Sequence, residues 1–276
     1  MERIHSNATT WGVAMPTKSV TASSTAGQPT LSYCLDAGVG WRAAIGLLVL
    51  ATDQTIEYEW RRLLNLDGVA FFVNRIANAA TVTPENLRAM EADLTSAAAL
   101  ILPEIPLDVI AYGCTSAAVF IGEDTVTRRI LMGRAEAVKV TTPITAAKAA
   151  CRALGKNRIA LLTPYIEAIN QRIQAHLEDA GLEVPIMRSF DNSDDNMVMR
   201  IAPASILAAA RDLGSDSAVE MVFIACTSLR GAALVEELEA QLNKPVTTSC
   251  HAMAWHALRL AGYRDPVAGQ GQLFRC

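Results

Sequence analysis

The sequence predicts an α/β protein made of two similar domains, each a parallel β-sheet flanked by helices. Short runs of almost only apolar residues alternate with amphipathic stretches of helical length, which is typical of parallel sheets covered on both faces. The pattern also repeats: IGLL at 45–48 resembles IALL at 159–162, an offset of 114 residues. The triplet Cys-Thr-Ser begins at Cys114 and again at Cys226, an offset of 112 residues. Nearly equal offsets in both halves predict two domains that face one another across a cleft.

The first domain is predicted to span residues 42–142. Its apolar runs predict strands, and its amphipathic or proline-initiated stretches predict helices. Pro84 favours a helix start, since the first turn leaves its N–H groups unbonded and proline has none. The predicted strands are 43–51, 69–76 and 108–114, and the predicted helices are 55–64 and 84–102.

The second domain is predicted to span residues 143–249. Two of its helices end at glycines, Gly155 and Gly181, which favour the left-handed conformation that closes a helix. The predicted helices are 143–155, 167–181, 203–214 and 234–242, and the predicted strands are 158–164, 221–227 and 245–250. A last helix is predicted at 252–262, within a C-terminal segment, 250–276, that completes the first domain. Residues 1–41 are rich in Ser, Thr, Gly and Pro without sustained periodicity, so we predict a disordered N-terminal arm.

Composition excludes several classes of function. Lys and Arg total 24 against 28 Asp and Glu, a net charge of −4 without a basic stripe, so nucleic acid and membrane are not expected as partners. The first residues resemble no secretory signal, and no apolar run approaches the roughly 20 residues that a membrane helix needs. The six cysteines form no CxxC pair. We therefore expect free thiols, a cytoplasmic location, no metal, and, without a glycine-rich phosphate loop, no cofactor.

Cys114 and Cys226 are the candidate catalytic residues. Each follows a buried strand and precedes a helix, and ligands of open α/β sheets bind at such strand ends. Helix N-terminal amides there are expected to lower the thiol pKa, and a substrate carboxylate is expected to bind nearby hydroxyls. A single cysteine at a strand end is more often inert packing. Two at equivalent positions, however, allow a proton to be taken from one face of a carbon and returned to the other. The hydroxyls are those of Thr115, Ser116, Thr227 and Ser228.

The chain resembles the Asp/Glu racemase superfamily, in the branch of maleate cis–trans isomerases and arylmalonate decarboxylases. The resemblance runs from about residue 45 to 262, and the segments that carry it are LATDQTIEYEW, AYGCTSA, ITAAKAACRALG, RIALLTPYIEAIN, ACTSLR and KPVTTS…AWHALRLAG. The wording NRIANAATVTPENLRAM, VIAYGCTSA and ALLTPYIEAIN is most similar to proteins of ectoine utilisation.

The resemblance implies roles for particular residues. Cys114 and Cys226 match the base or nucleophile of one domain and its partner in the other, whereas arylmalonate decarboxylases keep one thiol. Tyr165 matches a tyrosine that hydrogen-bonds substrate, with an amphipathic rim tyrosine as the alternative. Asn196 lies near an asparagine that binds a substrate carboxylate, with a packing or turn role as the alternative.

Asp53 and Thr55 are a departure within the resemblance. Maleate isomerases have asparagine in a Ser-Ser-Asn-Thr-Thr segment where this chain has Ala-Thr-Asp-Gln-Thr at 51–55. An ionised Asp53 would repel a second substrate carboxylate and attract an ammonium group. This favours an amino-acid substrate over maleate, unless Asp53 instead caps the following helix.

We therefore expect a cofactor-independent isomerase or racemase that acts on a small carboxylate, as a homo-oligomer. Asp53, Thr55 and the neighbouring hydroxyls are expected to bind and orient the substrate. Three alternatives are open: a metabolite-binding protein without catalysis, an accessory protein of a partner enzyme, and a decarboxylase of the arylmalonate type.

Overall fold

The computed structural model describes residues 18–20, 31 and 33–276. Most of the predicted arm, 1–41, and with it the prediction of disorder, lies outside the described residues. Within the arm, β1 (Lys18–Val20) pairs antiparallel with β2 (Tyr33–Leu35). Among the described residues, 18–20, 31 and 33–276, no helix is long and apolar enough to cross a membrane.

Two parallel four-stranded sheets form the body of the protein, as predicted for the fold class. The first has the order β4-β3-β5-β6 and the second the order β10-β9-β7-β8. When the strands of each sheet are numbered along the chain, the spatial order is 2-1-3-4 in both sheets. The strands are β3 (Ala43–Leu50), β4 (Val69–Ile76), β5 (Val109–Tyr112), β6 (Lys139–Thr141), β7 (Arg158–Thr163), β8 (Glu183–Ser189), β9 (Met221–Ile224) and β10 (Val246–Thr248).

The strand register repeats the offsets of the sequence. Ile45 on β3 lies beside Val109 on β5, and Ile159 on β7 lies beside Met221 on β9. These are the positions related by the offsets of 114 and 112 residues. The ends of β5 and β9, which precede Cys114 and Cys226, are therefore equivalent in the two sheets.

Helices cover both sheets. They are α1 (Ile56–Leu63), α2 (Pro84–Ala89), α3 (Leu94–Ala99), α4 (Thr115–Ile121), α5 (Glu123–Met132), α6 (Pro143–Leu154), α7 (Glu167–Asp179), α8 (Asp195–Val198), α9 (Pro203–Gly214), α10 (Val235–Leu242) and α11 (Ser249–Ala261). α11 follows the last strand of the second sheet, yet it packs on β3, β5 and β6 of the first sheet and against α6. The C-terminus therefore ties the two sheets together.

Several predicted elements differ from the structure. The helix predicted at 84–102 is divided into α2 and α3 by a 3₁₀ turn at Met90–Asp93. The predicted strand 245–250 ends at Thr248, because the Thr248 hydroxyl accepts the N–H of His251 and so starts α11. The strand β8 was not predicted. It is a half-exposed edge strand that contains Pro185, and both features weaken the sequence signal of a strand.

Candidate active site

Cys114 lies at the junction of β5 and α4. It is the N-cap of α4, and its Sγ accepts a hydrogen bond from the N–H of Ala117 at 3.4 Å. The preceding Gly113 sits against α1, where a Cβ would come within 2.8 Å of the Ile56 side chain. Only glycine fits this close approach without displacing Ile56. The thiol is thus fixed at the carboxyl end of its strand.

Cys226 occupies the equivalent place after β9, in an unusual backbone conformation. Its φ is +137°, in a region that residues with a side chain rarely adopt. The Cys226 N–H donates to Ser249 Oγ at 3.0 Å, and the Sγ accepts from the N–H of Ser228 at 3.4 Å. Such strain persists where surrounding contacts hold it, and it clusters at functional sites.

Both thiols line one small cavity at the seam between the two domains. Its volume is about 20 Å³, which is room for about one water molecule. The predicted site residues that line it are Cys114, Ser116, Tyr165, Cys226, Thr227 and Ser228. The remaining wall consists of Leu50, Asn78, Ala79, Thr81, Val82, Asn86, Leu87, Met90 and Asp195.

Tyr165 lies against the thiols. Its side chain is only 4% exposed and lines the cavity together with Cys226 and Ser116. Burial and the nearby thiols raise the pKa of the Tyr165 phenol well above its usual value. The phenol therefore keeps its proton and can donate it in a hydrogen bond to a bound oxyanion or thiolate.

The predicted lowering of the thiol pKa values is wrong for this closed cavity. Burial raises the pKa of Cys114 to about 12, and it raises the pKa of Cys226 to about 12 as well. The N–H of Ala117 and the hydroxyl of Tyr165 act in the opposite direction but are outweighed. Helix amides favour a thiolate only where the sulfur is not also removed from water.

Asp195 is the cavity residue that sequence reasoning missed. It is the first residue of α8, beside the predicted Asn196, and it is 6% exposed. Its Oδ1 accepts from Ser228 Oγ at 2.8 Å, and its Oδ2 accepts from Thr52 Oγ1 at 2.6 Å. The available signal was an Asp-Asp-Asn run after β8, but that strand itself was not recognised. Asn196 points elsewhere: it is exposed and does not line the cavity.

Asp53 does not line the cavity. Its Oδ1 accepts from the N–H groups of Thr55 and Ile56 at 2.7 and 2.8 Å, so it caps the start of α1. Burial raises the pKa of Asp53 to about 6. Thr55 donates its hydroxyl to the Ser228 carbonyl at 3.0 Å and lines a separate cavity of about 590 Å³. Neither side chain reaches the space between the thiols.

Thr115 and Thr227, the threonines of the two repeated triplets, play different parts. The Thr115 hydroxyl is hydrogen-bonded to Ser249 Oγ at 2.8 Å and does not line the cavity. The Thr227 hydroxyl donates to the Gly113 carbonyl at 3.2 Å and joins the two strand ends. The repeat therefore places both triplets at the seam but exposes only part of each to the cavity.

A short β-bridge lies beside the cavity, and two of its neighbouring residues, Val82 and Asp195, line the wall. Thr81, in the loop after β4, pairs antiparallel with Asp194, in the loop before α8. Val82 N–H donates to the Ser193 carbonyl at 2.8 Å, and Asp195 N–H donates to the Ala80 carbonyl at 2.9 Å. The two loops therefore form part of the cavity wall, and because the cavity has room for about one water molecule, a larger substrate needs this wall or another part of it to move.

Metal binding has no support among residues 18–20, 31 and 33–276. No group of three or more His, Cys, Asp and Glu side chains in this part of the chain is arranged to hold an ion. The expectation of a cofactor-independent site stays a prediction.

Comparison with known proteins relates the whole body of the chain to one group of enzymes. The maleate isomerase of Nocardia farcinica is 30% identical over 240 residues, which cover 84% of this chain and 95% of that protein. The arylmalonate decarboxylase of Bordetella bronchiseptica is 32% identical over 149 residues, which cover 52% of this chain and 61% of that protein.

Solved structures agree with this relationship. A Nocardia farcinica maleate cis–trans isomerase, a cysteine-to-serine mutant with a covalently bound succinylcysteine intermediate, matches with a TM-score of 0.77 and 29% identity. The match covers 84% of this chain and 98% of that chain. The maleate isomerase Iso from Pseudomonas putida S16 matches with a TM-score of 0.77 and 25% identity over the same shares. Relatives of this chain thus include isomerases, one of which carries a covalent substrate-derived adduct on cysteine.

The family model of arylmalonate decarboxylase, Amdase, matches residues 45–274. This confirms the predicted branch of maleate isomerases and arylmalonate decarboxylases, while the resemblance to ectoine-utilisation proteins stays a prediction. On the family match and the 30% identity to a maleate isomerase, this chain belongs to the arylmalonate decarboxylase family.

Proposed function

We propose that this protein is a cofactor-independent isomerase that uses Cys114 and Cys226 on a small carboxylate. The observation that carries the proposal is the shared cavity: both thiols line it, from equivalent strand ends of two facing sheets. A carbon held between them can exchange protons or a covalent bond with either side. The family relationship to maleate isomerases supports the same reaction class.

One form of the reaction is cis–trans isomerisation. The Cys114 thiolate bonds to one alkene carbon, and the π electron pair takes a proton from Cys226 at the other carbon. The new single bond rotates. The Cys226 thiolate then removes that proton, the double bond re-forms, and the C–S bond breaks to regenerate the Cys114 thiolate. The succinylcysteine adduct in a solved relative supports this route.

The other form is racemisation. One thiolate removes the proton on the α-carbon, the electron pair delocalises into the substrate carboxylate, and the opposite thiol donates a proton to the other face. In both forms the Tyr165 phenol and the Ser116 hydroxyl donate to the carboxylate. The hydroxyls of Thr227 and Ser228 already donate to the Gly113 carbonyl and to Asp195. Because the thiols are neutral in the closed cavity, the starting thiolate forms while the cleft is open to water.

Cysteine substitution tests the proposal. Cys114→Ser and Cys226→Ser are each expected to lower turnover at least 100-fold, because a hydroxyl is a far weaker acid and nucleophile than a thiol. Cys151→Ser is the matched control: Cys151 is buried in α6, outside the cavity, and turnover is expected to be retained. The substrate panel contains maleate, small dicarboxylates, α-amino acids and the diamino acids that the ectoine resemblance suggests. Near-wild-type turnover in either cavity variant would refute the two-thiol site.

Two measurements distinguish cis–trans isomerisation from racemisation. Cis–trans isomerisation predicts a substrate adduct on Cys114 in Cys226→Ser protein, detected by intact-mass spectrometry under denaturing conditions. Racemisation predicts no adduct, and deuterium at the α-carbon of product formed in D₂O.

Decarboxylation is the second candidate, favoured by the family match and by the apolar part of the wall, Leu50, Val82, Leu87 and Met90. It predicts carbon dioxide release from substituted malonates that depends on one thiol only. A binding protein without catalysis predicts ligand-dependent thermal stabilisation with no product from any substrate.

A cytoplasmic location and a homo-oligomer are part of the same proposal. The six cysteines, all within the described residues, are free thiols, which suits a reducing compartment. Molar mass measured by light scattering tests the assembly.

A further inference from the structure

The described residues that line the cavity between the thiols include an acidic side chain but no basic one. Among the described residues that line it, Asp195 is acidic and none is Lys, Arg or His. No ion pair of the described part of the chain includes Asp195. A carboxylate that is 6% exposed and has no cationic neighbour carries a desolvation cost that a cationic ligand group would offset.

Two hydroxyl groups donate hydrogen bonds to the carboxylate oxygens of Asp195. Asn78 donates through Nδ2 to Thr52 Oγ1 at 2.9 Å and accepts from the Thr52 N–H at 3.2 Å, which fixes the orientation of the amide. Thr52 therefore directs its own hydroxyl proton at Asp195 Oδ2, at 2.6 Å. Ser228 donates to Oδ1 in the same way. A carboxylate has about four lone-pair sites, so about two are left for a ligand.

We propose that Asp195 binds a substrate ammonium group, so that the substrate is a small carboxylate with an ammonium group rather than a dicarboxylate. This rests on the proposed function, since it assigns the substrate class of the same site. Ser116 and Tyr165 hold the carboxylate, while Asp195, held by hydrogen bonds from Ser228 and Thr52, receives the ammonium. A second carboxylate at that wall would meet a like charge in a site removed from water.

The state of the thiols agrees with this assignment. The charge of Asp195 contributes, after burial, to the raised pKa of both Cys114 and Cys226. A bound ammonium would compensate that charge and favour a thiolate, whereas a second substrate carboxylate would add to the effect. An ammonium substrate thus prepares the thiols for reaction.

Binding, measured apart from turnover, tests the assignment. The experiment uses Cys226→Ser protein and calorimetric or thermal-shift titration with ligand pairs that differ by an ammonium group. The pairs are aspartate and succinate, alanine and propionate, and 2,4-diaminobutyrate and 4-aminobutyrate, so that the missing ammonium is always the α-amino group. We expect the ammonium-bearing member to bind more tightly in at least one pair. Asp195→Asn is expected to reduce that preference roughly 10- to 100-fold, the value of a charge-assisted hydrogen bond.

Asp194→Asn is the matched control. It removes the same charge from the neighbouring, exposed residue, and asparagine caps a helix as well as aspartate does, so the preference is expected to be unchanged. The assignment is overturned if no ammonium-bearing ligand binds more tightly than its partner, or if Asp195→Asn leaves the preference as it was. Because binding is measured in a variant without the second thiol, failure of the two-thiol mechanism shows only in the turnover experiments.

Discussion

Two buried carboxyl groups belong to α1 and its start, and neither lines the thiol cavity. Asp53 Oδ2 and Glu59 Oε2 have no hydrogen-bond partner among the described residues, although the other oxygen of each accepts backbone N–H groups. Burial raises the pKa of Glu59 to about 7 and that of Asp53 to about 6. Both groups therefore take up a proton more readily in the folded protein than in the unfolded chain.

This predicts that stability decreases as the pH rises. A carboxyl with a raised folded-state pKa stabilises the fold fully below its unfolded pKa, and that stability is lost as the pH passes the folded pKa. For Glu59 the window runs from 4.5 to about 7, and the loss is at most on the order of 3 kcal/mol. Glu59→Gln is expected to flatten the dependence of the unfolding free energy on pH between about 5 and about 8. Urea denaturation at several pH values in this range measures it.

The matched control for Glu59 is Glu57→Gln, on the same helix but outside the buried pair. Glu57 forms ion pairs with Arg61 and Arg75 at the surface. Its removal is expected to leave the slope between the two pH values as in the wild type. An equal slope in wild type and Glu59→Gln would show that Glu59 ionises without cost.

At the scale of elements, the loops that follow β4 and β8 form part of the cavity wall. Their bridge joins Thr81 to Asp194, one residue before the cavity carboxylate Asp195. The bridge therefore holds this part of the wall together and also places Asp195.

A disulfide across this bridge is expected to block turnover. Paired residues of antiparallel strands have Cα atoms about 4.5–5.5 Å apart, which suits a disulfide. The double variant Thr81→Cys/Asp194→Cys, once oxidised, should hold the cleft shut. Activity is expected to fall at least tenfold on oxidation and to return with dithiothreitol, while each single variant should respond no more than the wild type. Full activity in the oxidised form, with the crosslink verified by mass spectrometry, would show that substrate enters elsewhere.

At the scale of the whole molecule, α11 links the two domains. It begins directly after β10 of the second sheet and packs on three strands of the first. The tail returns to it: His251 Nε2 lies 2.9 Å from the Gln270 carbonyl, and Phe274 is fully buried. α11 therefore couples the second sheet, from which it continues directly, to the first sheet, which it covers.

The two domains are therefore expected to unfold in one transition. The sequence has no tryptophan in 143–249, so fluorescence reports on the arm, the first domain and α11, whereas far-ultraviolet circular dichroism reports on both domains. The two signals should coincide in wild type and in Leu258→Ala, a substitution at a fully buried position of α11 that should cost roughly 2–5 kcal/mol. Leu131→Ala, at an exposed position of α5, is the control and should shift neither signal by more than about 0.5 kcal/mol. Two separate transitions would contradict this coupling.

The sequence by itself determined the architecture of this protein and the position of its two thiols. The apolar runs specify buried parallel strands, and the repeated Cys-Thr-Ser triplet specifies two equivalent strand ends. Both patterns are formed by residues that are close together in the chain, so they can be read from the sequence. The capping of α1 by Asp53 was also visible, as an alternative, since a cap depends on residues three positions apart.

Only the tertiary structure decided which side chains face the cavity and in what charge state. Asp195 lines the thiol cavity from the loop after β8, the edge strand of the second sheet, and Asn196, its neighbour, does not. The pKa values of Cys114 and Cys226 are raised because the domains bury both sulfurs, against the local pull of the helix amides. Burial and facing contacts arise between segments far apart in the chain, and no local pattern in the sequence encodes them.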